Sequence, residues 1–237
     1  MRVDVATSSA EAAALRLSRP QADAQRDAAE QLMGRKSRPY QVVKRGMDLV
    51  GGGALLVLAL PLMLLAAVAV KLTSRGGVFF CQHRAGRGGK PFKMYKFRSM
   101  VKGAQESRPV LEKFNEREKP IFKIRHDPRV TRVGRFLRRS SIDELPQLIN
   151  VLRGEMSLVG PRPLWVEEAR RAEGKAKLRE TVKPGLTCLW QICGRSELSY
   201  QTWVDLDLYY IRHRCLLLDL MIILQTIPAV LSARGAY

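Results

Sequence analysis

Residues that could build a metal centre or a disulfide framework are scarce in this sequence. It has four cysteines, Cys81, Cys188, Cys193 and Cys215, and no two of them have the CxxC spacing of zinc modules and redox motifs. Its three histidines are scattered, and no pair has the spacing of metal ligands. The sequence therefore disfavours a zinc module and a disulfide-stapled fold, and it is typical of a reducing compartment.

Acidic residues are also scarce relative to basic ones. The 237 residues include 22 Asp and Glu against 41 Lys and Arg, which gives a net charge of +19. This excess predicts an anionic partner: nucleic acid, an acidic lipid surface or a phosphorylated substrate. A hydrophobic fraction of 46% and a charged fraction of 27% exclude a disordered chain and a polytopic membrane protein. The length favours one domain with a short appendage.

The first 38 residues lack the apolar core of a secretory signal peptide. They carry seven basic and five acidic side chains, a net +2, so +17 belongs to the remainder. We expect residues 1–38 to form a disordered or weakly helical leader.

One long uncharged run covers residues 49–70. As a helix its 22 residues would be about 33 Å long, enough to cross a bilayer core. Pro61 near its middle predicts a kink. Basic residues flank both ends of the run: Lys44, Arg45, Lys71 and Arg75. Because the positive-inside rule cannot separate these ends, a re-entrant helix broken at Pro61 and an ordinary span with a proline kink both remain open.

A second apolar stretch, residues 215–231, is interrupted by Asp219, Gln225 and Pro228. It is more typical of an interfacial or core helix than of a membrane span. The spacing of apolar residues also predicts helices over 165–180 and 200–212.

Two strand-like runs, 78–82 and 92–97, are joined by a loop that contains three glycines. This pattern predicts a β-hairpin. The glycines could instead cradle a phosphate, but no helix start follows them, which favours the turn.

Residues 138–152 carry the strongest chemical signal. Ser141 and Glu144 have capping-box spacing, which predicts a helix beginning there with Asp143 and Glu144 in its first turn. The helix dipole and the preceding arginines favour ionised carboxylates, which can bind Mg²⁺ or attack phosphorus. The alternative is that both merely cap the helix. Arg162, held between two prolines, is either a phosphate clamp or a solvated turn residue.

Several segments together resemble the bacterial sugar transferase family, the monotopic polyprenyl-phosphate phosphoglycosyl transferases. The resemblance covers residues 39–237 in the same order. The segments that carry it are KRGMDLV, VFFCQHRAGRGGKPFKMYKFRSM, DPRVTRVGRFLRRSSIDELPQLINVLRGEMSLVGPRP, KPGLTCLWQICGR and DLDLYYIRH with LLLDLMIIL. Cys188 stands where glycine is usual in this family.

The resemblance implies a helix-dominated α+β fold at the cytoplasmic face of the bacterial inner membrane. Its parts would be a re-entrant membrane helix broken at Pro61, a β-hairpin and amphipathic interfacial helices around a small catalytic domain. On this basis residues 39–237 form the transferase domain, with a membrane-inserted helix over 45–73 and a cytoplasmic catalytic part over 74–237. Membrane lipids are expected partners, and homo-oligomerisation is left open.

The resemblance also implies a two-step reaction. Asp143 would attack the β-phosphate of a UDP-sugar with Mg²⁺ bound, releasing UMP and leaving a covalent phosphosugar on the enzyme. Undecaprenyl phosphate would then take the phosphosugar to give undecaprenyl-diphospho-sugar, the first membrane step of exopolysaccharide, capsule or O-antigen synthesis. Glu144, the second carboxylate of the pair, would support this reaction or remove a proton in it. The positions that match the family's phosphate-binding residues are Lys96, Arg138 and Arg162.

Two other classes would explain parts of the sequence. A membrane-attached nucleic-acid-binding protein would account for the charge, but the sequence lacks a helix-turn-helix, RNA-binding or OB-fold signature, and no nucleic-acid partner is expected. A scaffold of a polysaccharide export complex would account for the membrane segment. Mg²⁺-dependent release of UMP separates an enzyme from both.

Overall fold

The computed structural model of the chain describes residues 36–116, 122–194 and 197–232. The predicted leader, apart from its last three residues, lies outside the described residues. The structure is a helix-dominated α+β fold with two small sheets, as expected. The helices are α1 (Arg38–Thr73), α2 (Arg108–Leu111), α3 (Arg132–Arg139), α4 (Gln147–Arg153), α5 (Val166–Arg171), α6 (Leu189–Cys193), α7 (Tyr200–His213) and α8 (Leu216–Leu231). The strands are β1 (Phe79–Ala85), β2 (Pro91–Phe97), β3 (Ser157–Val159) and β4 (Gly185–Thr187).

Helix α1 contains the long apolar run. Ser37 caps its N-terminus, with Oγ accepting from Tyr40 N at 3.5 Å, and a proline occupies its first turn. Most apolar side chains in its middle are exposed, including Leu58 at 77%. By length and composition it is the one described helix that could cross a membrane. It continues through Pro61, so the predicted break at this residue is not confirmed.

The first half of α1 is tied by polar contacts to the part of the chain that follows the hairpin. Arg45 donates from its two Nη atoms to the carbonyls of Val151 and Leu152, at 2.7 and 2.8 Å. Both carbonyls belong to the last turn of α4, where a helix leaves acceptors over, and that of Val151 also accepts from Gly154 N at 3.0 Å. Asp48, 2% exposed, accepts a hydrogen bond from Ser157 Oγ at 2.9 Å. The helix is therefore fixed to both α4 and β3.

The second half of α1 packs on the same part of the chain. Its buried side chains join those of β2, α3 and the turn before α4 in one hydrophobic cluster: Met63, Ala66, Val70, Phe97, Leu137 and Ile142. Just past the helix, Arg98 Nη2 donates to the carbonyl and the hydroxyl of Ser74, both at 2.8 Å. Both ends of the apolar run are thus anchored to the same structural unit.

Helix α8 lies against α1 and α7 through the aspartate that interrupts its apolar sequence. Asp219 is fully buried and accepts from Lys44 Nζ at 2.9 Å and from the Tyr210 hydroxyl at 2.7 Å. The opposite side of α8 exposes apolar side chains, such as Leu217 at 66%. The 16-residue helix buries one face and exposes the other, as expected of an interfacial or core helix and not of a membrane span.

The hairpin prediction is confirmed. Strands β1 and β2 pair antiparallel, from Phe79 opposite Phe97 to Ala85 opposite Pro91. Gly88 and Gly89 in the connecting 3-10 turn have φ angles of 69° and 72°, the left-handed region that favours glycine. The glycine-rich loop is therefore a turn.

Two of the helix predictions need correction. No helix begins at Ser141: a 3-10 turn covers Ile142–Glu144, and α4 begins only at Gln147, without a capping bond from the Ser141 side chain. The predicted helix over 165–180 is instead the short α5 followed by a 3-10 segment, Gly174–Thr181. The prediction over 200–212 is confirmed by α7.

Gly134 provides a test of the packing of α3. A Cβ atom at this position would lie 1.9 Å from the Ser99 carbonyl oxygen, so the helix can approach that backbone only with glycine. We expect Gly134→Ala to lower the free energy of unfolding by about 2 kcal/mol or more. Gly46→Ala, inside α1 with nothing within 4 Å, should be neutral or stabilising. Thermal unfolding of the detergent-solubilised variants measures the difference, and equal midpoints would contradict this packing.

Candidate active site

The 3-10 turn Ile142–Glu144 presents the two carboxylates of the Asp-Glu pair. Ser141, which precedes the turn, has φ 58°, and it is the only described non-glycine residue with a positive φ. This conformation costs a serine about 1 kcal/mol or more and persists only where the surroundings impose it. Ile142 supplies that constraint, because its side chain is anchored in the core cluster next to α1. The turn therefore holds Asp143 and Glu144 in a fixed orientation.

Glu144 is clamped by two cations from different elements. Lys96 Nζ on β2 donates to Glu144 Oε1 at 2.7 Å. Arg162, on the loop after β3, donates from both Nη atoms, to Oε1 and, at 3.2 Å, to Oε2. This two-pronged pairing is the strong form of the arginine–carboxylate interaction. The pairing joins β2, the 3-10 turn and the loop after β3, residues 160–163, at one point.

The charges around Glu144 determine its protonation. Burial by itself would raise the pKa of the Glu144 carboxyl, but Arg162 and Lys96 more than offset this and hold it well below its usual range. Burial lowers the pKa of Lys96, and Glu144 counteracts that effect. Glu144 is therefore ionised at neutral pH and is poorly suited to accept a proton.

Asp143 lies in a different environment although it is the next residue. It is 7% exposed, and its carboxylate has no hydrogen bond or ion pair with the described residues. Burial raises its pKa to about 6; Lys96, Arg138 and Arg162 act in the opposite direction, and Glu144 adds to the increase. Asp143 is thus an ionisable carboxylate, available to a ligand, in a cationic setting.

The structure brings together five of the six predicted site residues. Lys96, Glu144 and Arg162 are in direct contact, and Asp143 and Arg138 lie within electrostatic reach of one another. The alternative that both carboxylates merely cap a helix does not describe Glu144, whose partners come from β2 and the loop after β3. The sixth residue, Pro61, lies exposed in α1 and contributes no polar group to this cluster.

A buried ion pair missed by the sequence analysis supports the loop that carries Arg162. Arg179 Nε donates to Asp207 Oδ2 at 2.7 Å, and Arg179 Nη2 donates to the Arg162 carbonyl at 3.2 Å. Burial raises the pKa of Asp207 to about 6, with Arg179 opposing it. The two residues are 28 positions apart in the sequence, on separate elements, so no spacing pattern could have revealed the pair.

Cys188 occupies its unusual position without backbone cost. Its φ and ψ of −154° and 167° are those of extended backbone, which any residue adopts. The thiol is buried, donates to Gln191 Oε1 at 3.2 Å, and has a pKa raised by that burial. Glycine is therefore not required here by the chain conformation.

The donor set fits a magnesium ion that arrives with a phosphorylated ligand. Within the described ranges, no cluster of three or more His, Cys, Asp or Glu side chains could enclose a metal. Mg²⁺ is commonly bound through one or two carboxylates together with substrate phosphates. Asp143 offers one such carboxylate, whereas the oxygens of Glu144 are engaged by Lys96 and Arg162.

The raised pKa of Asp143 predicts a stability cost that depends on pH. Its pKa is about 6 in the folded state against a usual 3.8, so ionisation opposes folding above pH 6 and has no effect below about pH 4. Asp143→Asn should therefore raise the free energy of unfolding by about 1 to 3 kcal/mol at pH 7.5, and the gain should shrink as pH falls from 6 to 4. Unfolding at several pH values measures this. Asp205→Asn, a control at an exposed carboxylate, should change the free energy of unfolding little at any of these pH values. A gain in Asp143→Asn that does not vary with pH would contradict the raised pKa of Asp143.

Known proteins resemble this chain in sequence, and one of those described here is matched over most of its own length. It is 43% identical over 203 residues to the exopolysaccharide production protein ExoY of Rhizobium meliloti, covering 83% of this chain and 88% of the relative. It is 44% identical over 204 residues to a UDP-glucose:undecaprenyl-phosphate glucose-1-phosphate transferase of Klebsiella pneumoniae. It is 42% identical over 208 residues to an undecaprenyl-phosphate galactose phosphotransferase of Salmonella typhimurium.

The last two alignments cover 83% and 84% of this chain but only 42% and 43% of those relatives, so the chain spans less than half of their length. The sequence profile of the bacterial sugar transferases matches residues 39–233, which include every residue of the site described above. By this profile and by these identities, the chain belongs to the bacterial sugar transferase family.

Proposed function

We propose that this chain transfers a sugar 1-phosphate from a UDP-sugar to undecaprenyl phosphate, releasing UMP, through a covalent intermediate on Asp143. The observation that carries the proposal is the contrast within the Asp-Glu pair: Glu144 is held by two cations, and Asp143 beside it is unpartnered. The names of the relatives from Klebsiella and Salmonella support the substrate classes. ExoY, a protein of exopolysaccharide production, supports the pathway.

The chemistry suits an unprotonated Asp143. One carboxylate oxygen attacks the β-phosphorus, the bond from that phosphorus to the bridging oxygen breaks, and UMP leaves with the electron pair. An oxygen of undecaprenyl phosphate then attacks the same phosphorus, and the bond to Asp143 breaks. Charge balances in both displacements without a proton transfer, so neither step requires a general base.

Glu144 is, in this proposal, a positioning residue. It stays ionised and holds Lys96 and Arg162 where the donor diphosphate enters. Lys96 has two further N–H donors, and the side chain of Arg162 is 30% exposed, so both can contact a phosphate without leaving Glu144. Arg138 adds positive charge beside Asp143. These cations neutralise the phosphoryl oxygens that a carboxylate must approach.

Magnesium is the proposed cofactor, with Asp143 as its protein ligand. When bound, the ion would supply charge neutralisation on the diphosphate oxygens. The residues of this chain would orient the donor and keep the nucleophile facing its phosphorus.

The proposed topology is re-entrant, with the catalytic part on the cytoplasmic face of the bacterial inner membrane. Both ends of the apolar run of α1 are anchored to one structural unit, through Arg45 and Asp48 at one end and Ser74 at the other. An ordinary span would put these anchors on opposite sides of a bilayer core of about 30 Å. Basic residues at both ends favour the cytoplasmic side.

The covalent intermediate can be trapped by omitting the acceptor. With Mg²⁺ and a UDP-sugar labelled in its β-phosphate, the detergent-solubilised chain should release UMP and retain label on the peptide that contains Asp143. Asp143→Asn keeps the shape but loses the nucleophile, so adduct and UMP release should fall by about 10³ or more. Mass spectrometry of the peptide and a UMP assay over a panel of UDP-sugars measure both and identify the sugar.

Asp205→Asn, which alters an exposed carboxylate on α7, serves as the matched control and should form the adduct normally. An adduct that persists in Asp143→Asn, or UMP release by the unmodified chain without any adduct, would rule out the proposed intermediate.

The topology is tested by labelling Arg38→Cys and Arg75→Cys, one at a time, in a chain whose four native cysteines are replaced by alanine. Both positions are exposed and flank α1. A membrane-impermeant maleimide should leave both unlabelled in intact spheroplasts and label both after permeabilisation. Labelling of one position from outside would show that α1 spans the membrane.

A further inference from the structure

Arg84, at the end of β1, lies beside the loop that carries Arg162. Its Nη1 donates to the Pro163 carbonyl at 3.2 Å, and the next backbone amide, that of Ala85, donates to the Leu164 carbonyl at 3.0 Å. Arg84 and Trp165 form an isolated β-bridge. The end of the hairpin is thus hydrogen-bonded to the segment that follows Arg162, which fixes Arg84 next to the clamp on Glu144.

Arg84 makes no hydrogen bond or ion pair with a carboxylate among the described residues, and Glu168 and Glu144 act on it only at longer range. Its Nε atom is buried and makes no hydrogen bond. The guanidinium lies over the Trp165 ring at 5.0 Å, and Arg108 lies over the same ring at 4.7 Å. Burial lowers the pKa of Arg84 to about 9, and the like charge of Arg162 adds to this effect. Removing such a cation from water without a counterion is costly, so the arrangement favours a bound anion.

The cluster has an excess of positive charge. Lys96, Arg138, Arg162 and Arg84 give four positive charges, and Asp143 and Glu144 give two negative ones. Glu168 and Arg108, which also act on Arg84, have opposite charges and leave the excess unchanged. Such an excess favours a phosphorylated ligand.

Arg84 is a separate group of the cluster and is not engaged by Asp143. Its side chain donates to the carbonyl of Pro163, the residue next to Arg162, and has no hydrogen bond or ion pair with Asp143 among the described residues. A cation in this position can bind a phosphate that lies next to Arg162.

We propose that Arg84 binds a phosphate monoester: the one that leaves in the first displacement and, in the same position, the lipid phosphate that attacks in the second. This inference rests on the proposed function. In a displacement at phosphorus the attacking and leaving oxygens lie roughly in line. Asp143 occupies one end of that line in both steps, as nucleophile and then as leaving group. UMP and undecaprenyl phosphate must consequently share the other end.

The test compares a phosphate monoester with its nucleoside. In Arg84→Gln the inhibition constant of UMP should rise about tenfold or more, because a charge-assisted hydrogen bond is lost, while that of uridine stays unchanged. In a second arm, wild-type and variant adducts are formed, freed of UMP and discharged with undecaprenyl phosphate. The half-saturating concentration of the lipid should rise by a similar factor.

Arg153→Gln is the matched control, because Arg153 also lies over an aromatic ring, that of Tyr95 at 5.2 Å, but is exposed and outside the cluster. It should leave both inhibition constants and the discharge unchanged. Arg84→Lys keeps the charge but not the planar fork, so its UMP affinity should fall severalfold. If Arg84→Gln does not fold, the UMP affinity of Arg84→Lys tests the proposal instead.

Three outcomes would overturn the assignment: unchanged UMP affinity in a folded Arg84 variant, an equal loss for UMP and uridine, or an effect in only one of the two arms. Failure of the proposed function itself looks different, since the unmodified chain would then release no UMP from any UDP-sugar and form no adduct.

Discussion

A single partly buried carboxylate, that of Glu144, joins the elements of the site. Its partners come from a hairpin strand and from the loop after β3, and the carboxylate itself comes from a turn between α3 and α4. An ion cluster taken out of water is stable only while all of its members are present, because each one left alone is an uncompensated charge. Glu144 therefore fixes the position of Lys96, on strand β2, relative to Arg162, on the loop after β3.

The same cluster differentiates two adjacent carboxylates. Cations saturate Glu144 and hold its pKa low, while the Asp143 carboxyl has a raised pKa and no partner. Neighbouring acids whose pKa values are pushed apart commonly divide a chemical task between them. Here the division is between a residue that organises positive charge and a residue that is free to react. The left-handed Ser141 contributes by turning the pair away from a regular helix.

The sequence predicted the parts whose signals are local, and the family resemblance selected residues that the structure brings together at the candidate site. Two strand-like runs around a glycine-rich loop identified the hairpin, and helical spacing identified α7. The start of α4 was predicted wrongly, because the capping-box spacing of Ser141 and Glu144 is local whereas the partners of Glu144 are distant. The Arg179–Asp207 pair and the environment of Arg84 depend on contacts between remote segments, and no periodicity encodes such contacts.

The way α1 is anchored affects how this chain can be handled and how it folds. Met63, Ala66 and Val70 form one wall of the hydrophobic cluster that also holds Ile142, and Asp48 satisfies polar groups of β3. The apolar helix is consequently part of the catalytic core as well as a membrane anchor. Deleting it to obtain a water-soluble enzyme would expose Phe97 and Leu137 and loosen the turn that bears the Asp-Glu pair. Because this helix precedes Asp143 and Glu144 in the chain, the part of the chain that bears them can complete its core only by packing onto a segment synthesised before it.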